Sequence, residues 1–201
     1  ETPLCVVGFD KPLRPDLGHK TTMLSLQVGE AHEQGFADIN YRASYHDLVD
    51  NVDGYNHGMS LNMGEVSLRV KDDSVQLQKA EFFDITSLPV INDYVSPISW
   101  KANVGLERQW TYGNDELVAR ASGGIGGSIE PFDNDRLFFL ATGRFEYNES
   151  LNHIWGVAAG ATVGYLATWP NSKTLLTVST DKFLDEQTRT TYQFTHNIAI
   201  A

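Results

Sequence analysis

Apolar and polar residues alternate with a period of two along most of this chain, and no stretch carries the 3.6-residue period of an amphipathic helix. "TTMLSLQVGE" and "GFADINYRASYH" predict a first pair of strands that turns between Glu30 and Gly35. "MSLNMGEVSLRV" and "SVQLQKAEFFDI" predict a second pair across "KDDS", and "SWKANVGLERQW" with "ELVARASGGIGGSI" a third across "TYGND". "RLFFLATGRFEY" and "HIWGVAAGATVGYLATW" form a fourth around "NESLN", and "KTLLTVSTDKF" with "RTTYQFTHNIAIA" a fifth near "LDEQT". The longer connections fall at 47–58 and 86–97, and every proline lies between the runs or near the N-terminus, where no ladder hydrogen bond is lost. Strands of roughly 9 to 13 residues exceed the ~5 to 6 usual in soluble sheets and suit a membrane crossing, which takes about 9 to 11. The meander order predicts an all-β fold, an up-and-down antiparallel β-barrel of about ten or more strands, of outer-membrane type. The barrel is expected over residues 21–201, after an N-terminal extension or linker over 1–20.

"WGVAAGATVGYLATW", residues 155–169, tests that expectation, because Gly156, Gly160 and Gly164 have the G-x-x-x-G spacing of packed membrane helices. As a helix it would extend only about 22 Å, short of the roughly 30 Å hydrocarbon core, and its glycines cost about 1 kcal/mol each. As a strand its parity sorts the residues cleanly. Trp155, Val157, Ala159, Ala161, Val163, Tyr165, Ala167 and Trp169 share one face; Gly156, Ala158, Gly160, Thr162, Gly164, Leu166 and Thr168 share the other. An apolar face with aromatics near both ends is the pattern of a lipid-facing barrel strand. A soluble barrel also alternates, with the apolar face turned to its core, so the sense of this face stays open between lipid and core.

Other strands carry the same division. Leu24, Leu26 and Val28, then Ile39, Tyr41, Ala43 and Tyr45, then Trp100, Ala102, Val104, Leu106 and Trp110 each line one parity, with Arg108 breaking the last. Opposite them stand Asp38, Asn40, Arg42, Ser44 and His46, and Lys101, Asn103, Glu107 and Gln109. In a membrane barrel Asp38, Asn40, Arg42, Lys101, Asn103 and Glu107 form a polar row facing the lumen, where Arg42, Lys101 and Glu107 are placed to pair.

Composition narrows the chemistry. Hydrophobic residues make up 41% of the 201-residue chain and charged ones 20%, enough to build a core. Fifteen basic against 26 acidic residues give a formal charge of −11, with no basic cluster, so no nucleic-acid partner is expected. Cys5 is single, which excludes an internal disulfide, and no run approaches the ~20 apolar residues of a membrane helix. "ETPLCVVGFD" reads as a cut end, with any targeting segment removed or outside the sequence. The histidines show neither H-x-H nor H-E-x-x-H spacing, so no metal or cofactor is expected. Ser44, His46 and Asp47 in "RASYHD" hold the ingredients of an acyl hydrolase. Yet Ser44 and His46 are neighbours along one strand face, roughly 7 Å apart, beyond a direct hydrogen bond. "GGIGGS" lacks the lysine of a phosphate-binding loop and reads as a bend in a strand.

"RPDLGHKTTMLSL", "YRASYHDLVDNVDGYNHG" and "KAEFFDITSLPVINDYVSPISWKANVGLERQW" together resemble the C-terminal β-rich domain of a bacterial family of unknown function. Its Gram-negative members carry an Lnb-type periplasmic domain N-terminal to this region. The alternation and long hairpins, beside this resemblance, lead to the expectation of a non-catalytic outer-membrane barrel acting as anchor or small pore for a periplasmic domain of the same or another chain, with outer-membrane lipid as its other partner. The family's candidate catalytic His and Cys belong to the N-terminal domain, so no catalytic residue carries over. The stop at "NIAIA", where outer-membrane barrels often end on an aromatic, predicts further strands or a different closure. Two alternatives remain: a soluble β-barrel that binds a ligand or partner, periplasmic or secreted, and an outer-membrane acyl hydrolase or acyltransferase built on Ser44 and His46.

Overall fold

A computed structural model describes residues 20–31, 34–50, 56–71, 74–111, 114–149, 154–184 and 188–198. The expected N-terminal extension lies outside them except for Lys20. Ten strands follow one another: β1 (Met23–Ala31), β2 (Gln34–His46), β3 (Met59–Lys71), β4 (Ser74–Ser87), β5 (Ser99–Thr111), β6 (Asn114–Ile129), β7 (Arg136–Tyr147), β8 (Trp155–Trp169), β9 (Ser172–Phe183) and β10 (Thr188–Ile198). Each pairs antiparallel with the next, so the chain forms one ten-stranded up-and-down sheet in sequence order.

The sheet is not closed into a barrel, which corrects the expected architecture. Among the described residues β1 pairs only with β2 and β10 only with β9, leaving both outer edges unpaired. The alternation that reveals each strand reports its two faces; closure depends on whether the first and last strands meet, which no local pattern encodes. The sheet is nevertheless curled. Lys101 on β5 reaches Thr162 on β8, and Arg189 on β10 reaches Gln109 on β5 and Glu146 on β7, so side chains meet across the concave side.

Glycine makes part of that curl. A side chain at Gly160 would place its Cβ 2.0 Å from the Thr180 carbonyl oxygen, and one at Gly164 would fall 2.2 Å from the Phe138 ring. The G-x-x-x-G run of β8 thus leaves room on the inner face for the neighbouring backbone and an aromatic ring.

The two ends of the sheet differ. Pairs β1/β2, β3/β4, β5/β6, β7/β8 and β9/β10 turn at one end; residues 47–50 and 56–58 and the connections 88–98, 130–135 and 170–171 lie at the other, where β1 begins and β10 ends. At this second end Leu48, Val49 and Leu88 from the connections pack with Phe138, Leu140, Leu166 and Leu175 from the inner faces of β7, β8 and β9. Lys173 fastens this apolar plug by donating to the carbonyls of Leu48 and Asp50, at 3.4 and 2.5 Å. Burial first, then Asp50, pushes the Asp47 carboxyl above its usual range, against the pull of Arg42 and the Leu48 and Val49 amides. His57, in the same connection, is held below its ordinary value by burial first and then by Lys173 and Arg136.

Candidate functional site

The faces of the sheet have exchanged the roles they take in a water-soluble protein. On β8, Trp155, Val163 and Trp169 are about half exposed at 56%, 46% and 51%, and Ala159 is exposed. Val157, Ala161 and Tyr165 on the same parity are half-buried, and Ala158, Thr162, Gly164 and Leu166 on the other are buried. The apolar face therefore points away from the concave side. Leu24, Leu26 and Val28 on β1, Phe139 and Phe145 on β7, and Tyr192 and Phe194 on β10 are exposed likewise. The side chains of Tyr45 and Trp110, read on the same rows, lie outside the described ones.

The concave side holds charge. Asp38 is buried and takes two hydrogen bonds from Arg69, at 2.7 and 2.8 Å, while Arg69 also covers the Phe36 ring. Arg42 lies 3.3 Å from Glu65, which also meets Lys79 at 3.1 Å. Glu81 is the centre of this group: Lys79 lies at 2.7 Å, Arg120 at 3.5 Å, and Asn62 and Asn103 both donate to it. Glu107 pairs with Arg120, which also donates to Asn103. A second group surrounds the buried Glu146, which takes Arg144 at 2.7 Å and Arg189 at 2.8 Å; Arg144 continues to Asp181 at 3.2 Å. Pairing makes burial of these charges tolerable, since an unpaired ion would cost several kcal/mol.

Of the polar row read from the sequence, Asp38, Asn40 and Asn103 are buried and Arg42, Lys101 and Glu107 half-buried. Arg42, Lys101 and Glu107 take their partners from other strands: Glu65, Thr162 and Arg120. Two polar cavities of about 300 and 420 Å³ run through this interior and share Asp84, Lys101, Thr162, Ser179 and Gln193. Arg108, on the apolar parity of β5, turns its guanidinium to the carbonyls of Leu77 and Asp115 near the hairpin turns, keeping its charge off the middle of that face.

Glu65 and Glu81 escaped the sequence reading because their strands change parity. Gly64 has φ +68°, and the buried polar positions shift from Asn62 to Glu65 and Ser67 across it. On β4 the register slips between Glu81 and Phe83, leaving Phe82 exposed. These bulges bring Asn62, Glu65 and Glu81 to one buried group. A visible signal was available: the apolar positions of "MSLNMGEVSLRV" are odd-numbered up to Met63 and even-numbered from Val66, with a glycine between.

Ser44 stands opposite Met63 and is half-buried, whereas His46 stands opposite Leu61 at 2% exposure. Asp47 follows the strand, and its backbone N–H donates to the Asp50 carboxylate. Among the described residues no group of three or more His, Cys, Asp or Glu side chains is placed to hold a metal ion.

These features define a class: an all-β chain made of one curled, antiparallel meander with a charged interior and an apolar exterior. The chain belongs to the family described as Domain of unknown function (DUF7840), whose model matches residues 12–201. No curated protein and no solved structure matches the chain.

Proposed function

We propose that this chain is a non-catalytic outer-membrane anchor for a periplasmic domain, of the Lnb type that the sequence resemblance implies. The observation that carries the reading is the exchange of faces: half-exposed aromatic and aliphatic side chains outside, paired carboxylates and guanidinium groups inside. The lengths agree. Trp155 and Trp169 sit at opposite ends of β8, about 46 Å apart along an extended strand, or roughly 33 to 38 Å along the normal at barrel-like tilts. Tyr147 stands directly opposite Trp155, so one end of this outer face carries two neighbouring aromatics, as interfacial girdles do.

Anchor is favoured over pore because the plug of Leu48, Val49, Leu88, Phe138, Leu140, Leu166 and Leu175 fills one end of the interior. The reading carries one requirement. In hydrocarbon the free ladders of β1 and β10 need partners, and since β1 and β10 run in opposite directions each has the orientation to serve the other. Those unpaired edges also favour a second reading, a soluble β-domain that holds a partner along an edge.

Refolding into vesicles whose acyl chains carry bromine decides between the two. Quenching of tryptophan fluorescence by bromine near the headgroup end of the chains supports the anchor. A monodisperse, detergent-free monomer with unquenched tryptophans overturns it.

A further inference from the structure

On the outer face, at the plug end, the 130–135 connection and the ends of β8 and β9 enclose a cavity of about 810 Å³. Phe132, Tyr165 and Trp169 contribute aromatic walls, and Leu176 continues the lining along the apolar face. Two carboxylates stand at its rim. Asp135 is buried and fully engaged, accepting from the Tyr165 hydroxyl and, at 2.9 Å, from the Thr168 backbone N–H, which ties the connection to β8. Asp133 is exposed and makes no hydrogen bond or ion pair among the described residues. Thr174 lines the cavity too, and its hydroxyl lies 2.7 Å from His196 Nδ1 on the adjacent strand. The cavity thus combines aromatic rings and a free carboxylate with a hydroxyl backed by an imidazole, above a strip of aliphatic surface.

We infer that this cavity is a lipid site, and that it takes a glycerophospholipid whose headgroup carries a primary ammonium. An ammonium is attracted both to aromatic faces and to a carboxylate, and Asp133 with Phe132 and Trp169 offers the two together. The phosphate of the same headgroup needs a hydrogen-bond donor. Thr174 supplies a hydroxyl that donates to it when His196 Nδ1 carries the proton and donates to the hydroxyl oxygen. The acyl chains then run down the outer face over Leu176 and Val163, both of them exposed. A purely anionic headgroup is disfavoured by the carboxylates. The inference rests on the membrane reading, which places this end of β8 at the level of the headgroups.

The test offers the chain, in micelles, equal amounts of dioleoyl phosphatidylethanolamine and dioleoyl phosphatidylglycerol, and counts retained lipid by native mass spectrometry. The expected preference for the ethanolamine lipid is about fivefold, the scale of one ammonium contact with aromatic and carboxylate groups. Asp133→Asn and Trp169→Leu should each reduce it to near parity, and N-acetylation of the ethanolamine, which removes only the positive charge, should do the same with the unaltered chain. Equal retention of the two lipids, a preference unchanged in Asp133→Asn, or full retention of the N-acetylated lipid overturns the site. Flotation with vesicles free of ethanolamine lipid separates this failure from that of the parent reading: a chain that floats without headgroup preference loses the site alone, and one that floats with no vesicle loses both.

Discussion

The two faces of β7 are stabilised by different physics. Arg136, Phe138, Leu140 and Glu146 alternate with Leu137, Phe139, Phe145 and Tyr147 along one strand; the first set is buried and the second exposed. The inner set contains charges whose burial is offset by partners from distant strands, such as Arg189 on β10 for Glu146. The outer set has large apolar surfaces that no part of the described chain covers. What the inner face needs is therefore supplied from within, whereas the outer face is left uncovered by every described residue.

The largest effect should follow from breaking the inner face. Glu146→Ala leaves Arg144 and Arg189 facing each other without their shared carboxylate, and stability in urea unfolding should fall by about 3 to 5 kcal/mol. An outer substitution sharpens the contrast more directly. Val163→Arg, at the middle of β8, should cost about 2 to 4 kcal/mol if lipid covers the face, measured as membrane-coupled folding. Against water the same change should stay within about 0.5 kcal/mol, which would sink the anchor reading. Gly164→Val then asks whether the inner face of β8 needs its bare backbone. Its Cβ meets the Phe138 ring, so the ring must move at a cost of about 1 to 3 kcal/mol, while Ala159→Val on the exposed face should be close to neutral.

The smallest effect is on pH dependence and belongs to the plug. His57 has a depressed folded pKa, so its contribution is present above its ordinary value of 6.5 and is lost as pH falls through the folded value. Asp47 has a raised folded pKa, so its contribution is present at low pH and is lost as pH rises through that value. Urea midpoints followed from pH 8 down to about pH 4 should therefore lose less on acidification in His57→Gln and more in Asp47→Asn. Matching profiles for both variants and the parent would show that neither group titrates with folding.

Much of the fold was legible because a strand with unlike faces announces itself by parity. All ten strands and their meander order follow from it, as does the division of β8 between Trp155, Val163 and Trp169 on one side and Gly156, Gly160 and Gly164 on the other. The site was legible only in part. Asp38 and Asn103 stand on unbroken parity, whereas Glu65 and Glu81 sit beside bulges that shift the count by one residue. Arg120 meets Glu107 13 residues away, Arg144 meets Asp181 37 away and Arg189 meets Glu146 and Gln109 43 and 80 away, distances at which periodicity carries no information. The open edge has the same origin, since whether β1 meets β10 is decided by the summed curl of every strand between them.

For a membrane anchor of the kind proposed, the apolar plug held by Lys173 has a consequence for the barrier around it. A curled sheet filled at one end by leucine, valine and phenylalanine side chains offers ions no open water path through its interior. Vesicles densely loaded with the chain should hold a trapped dye and a potassium gradient as long as empty ones, and a cell could carry it in high copy without dissipating either.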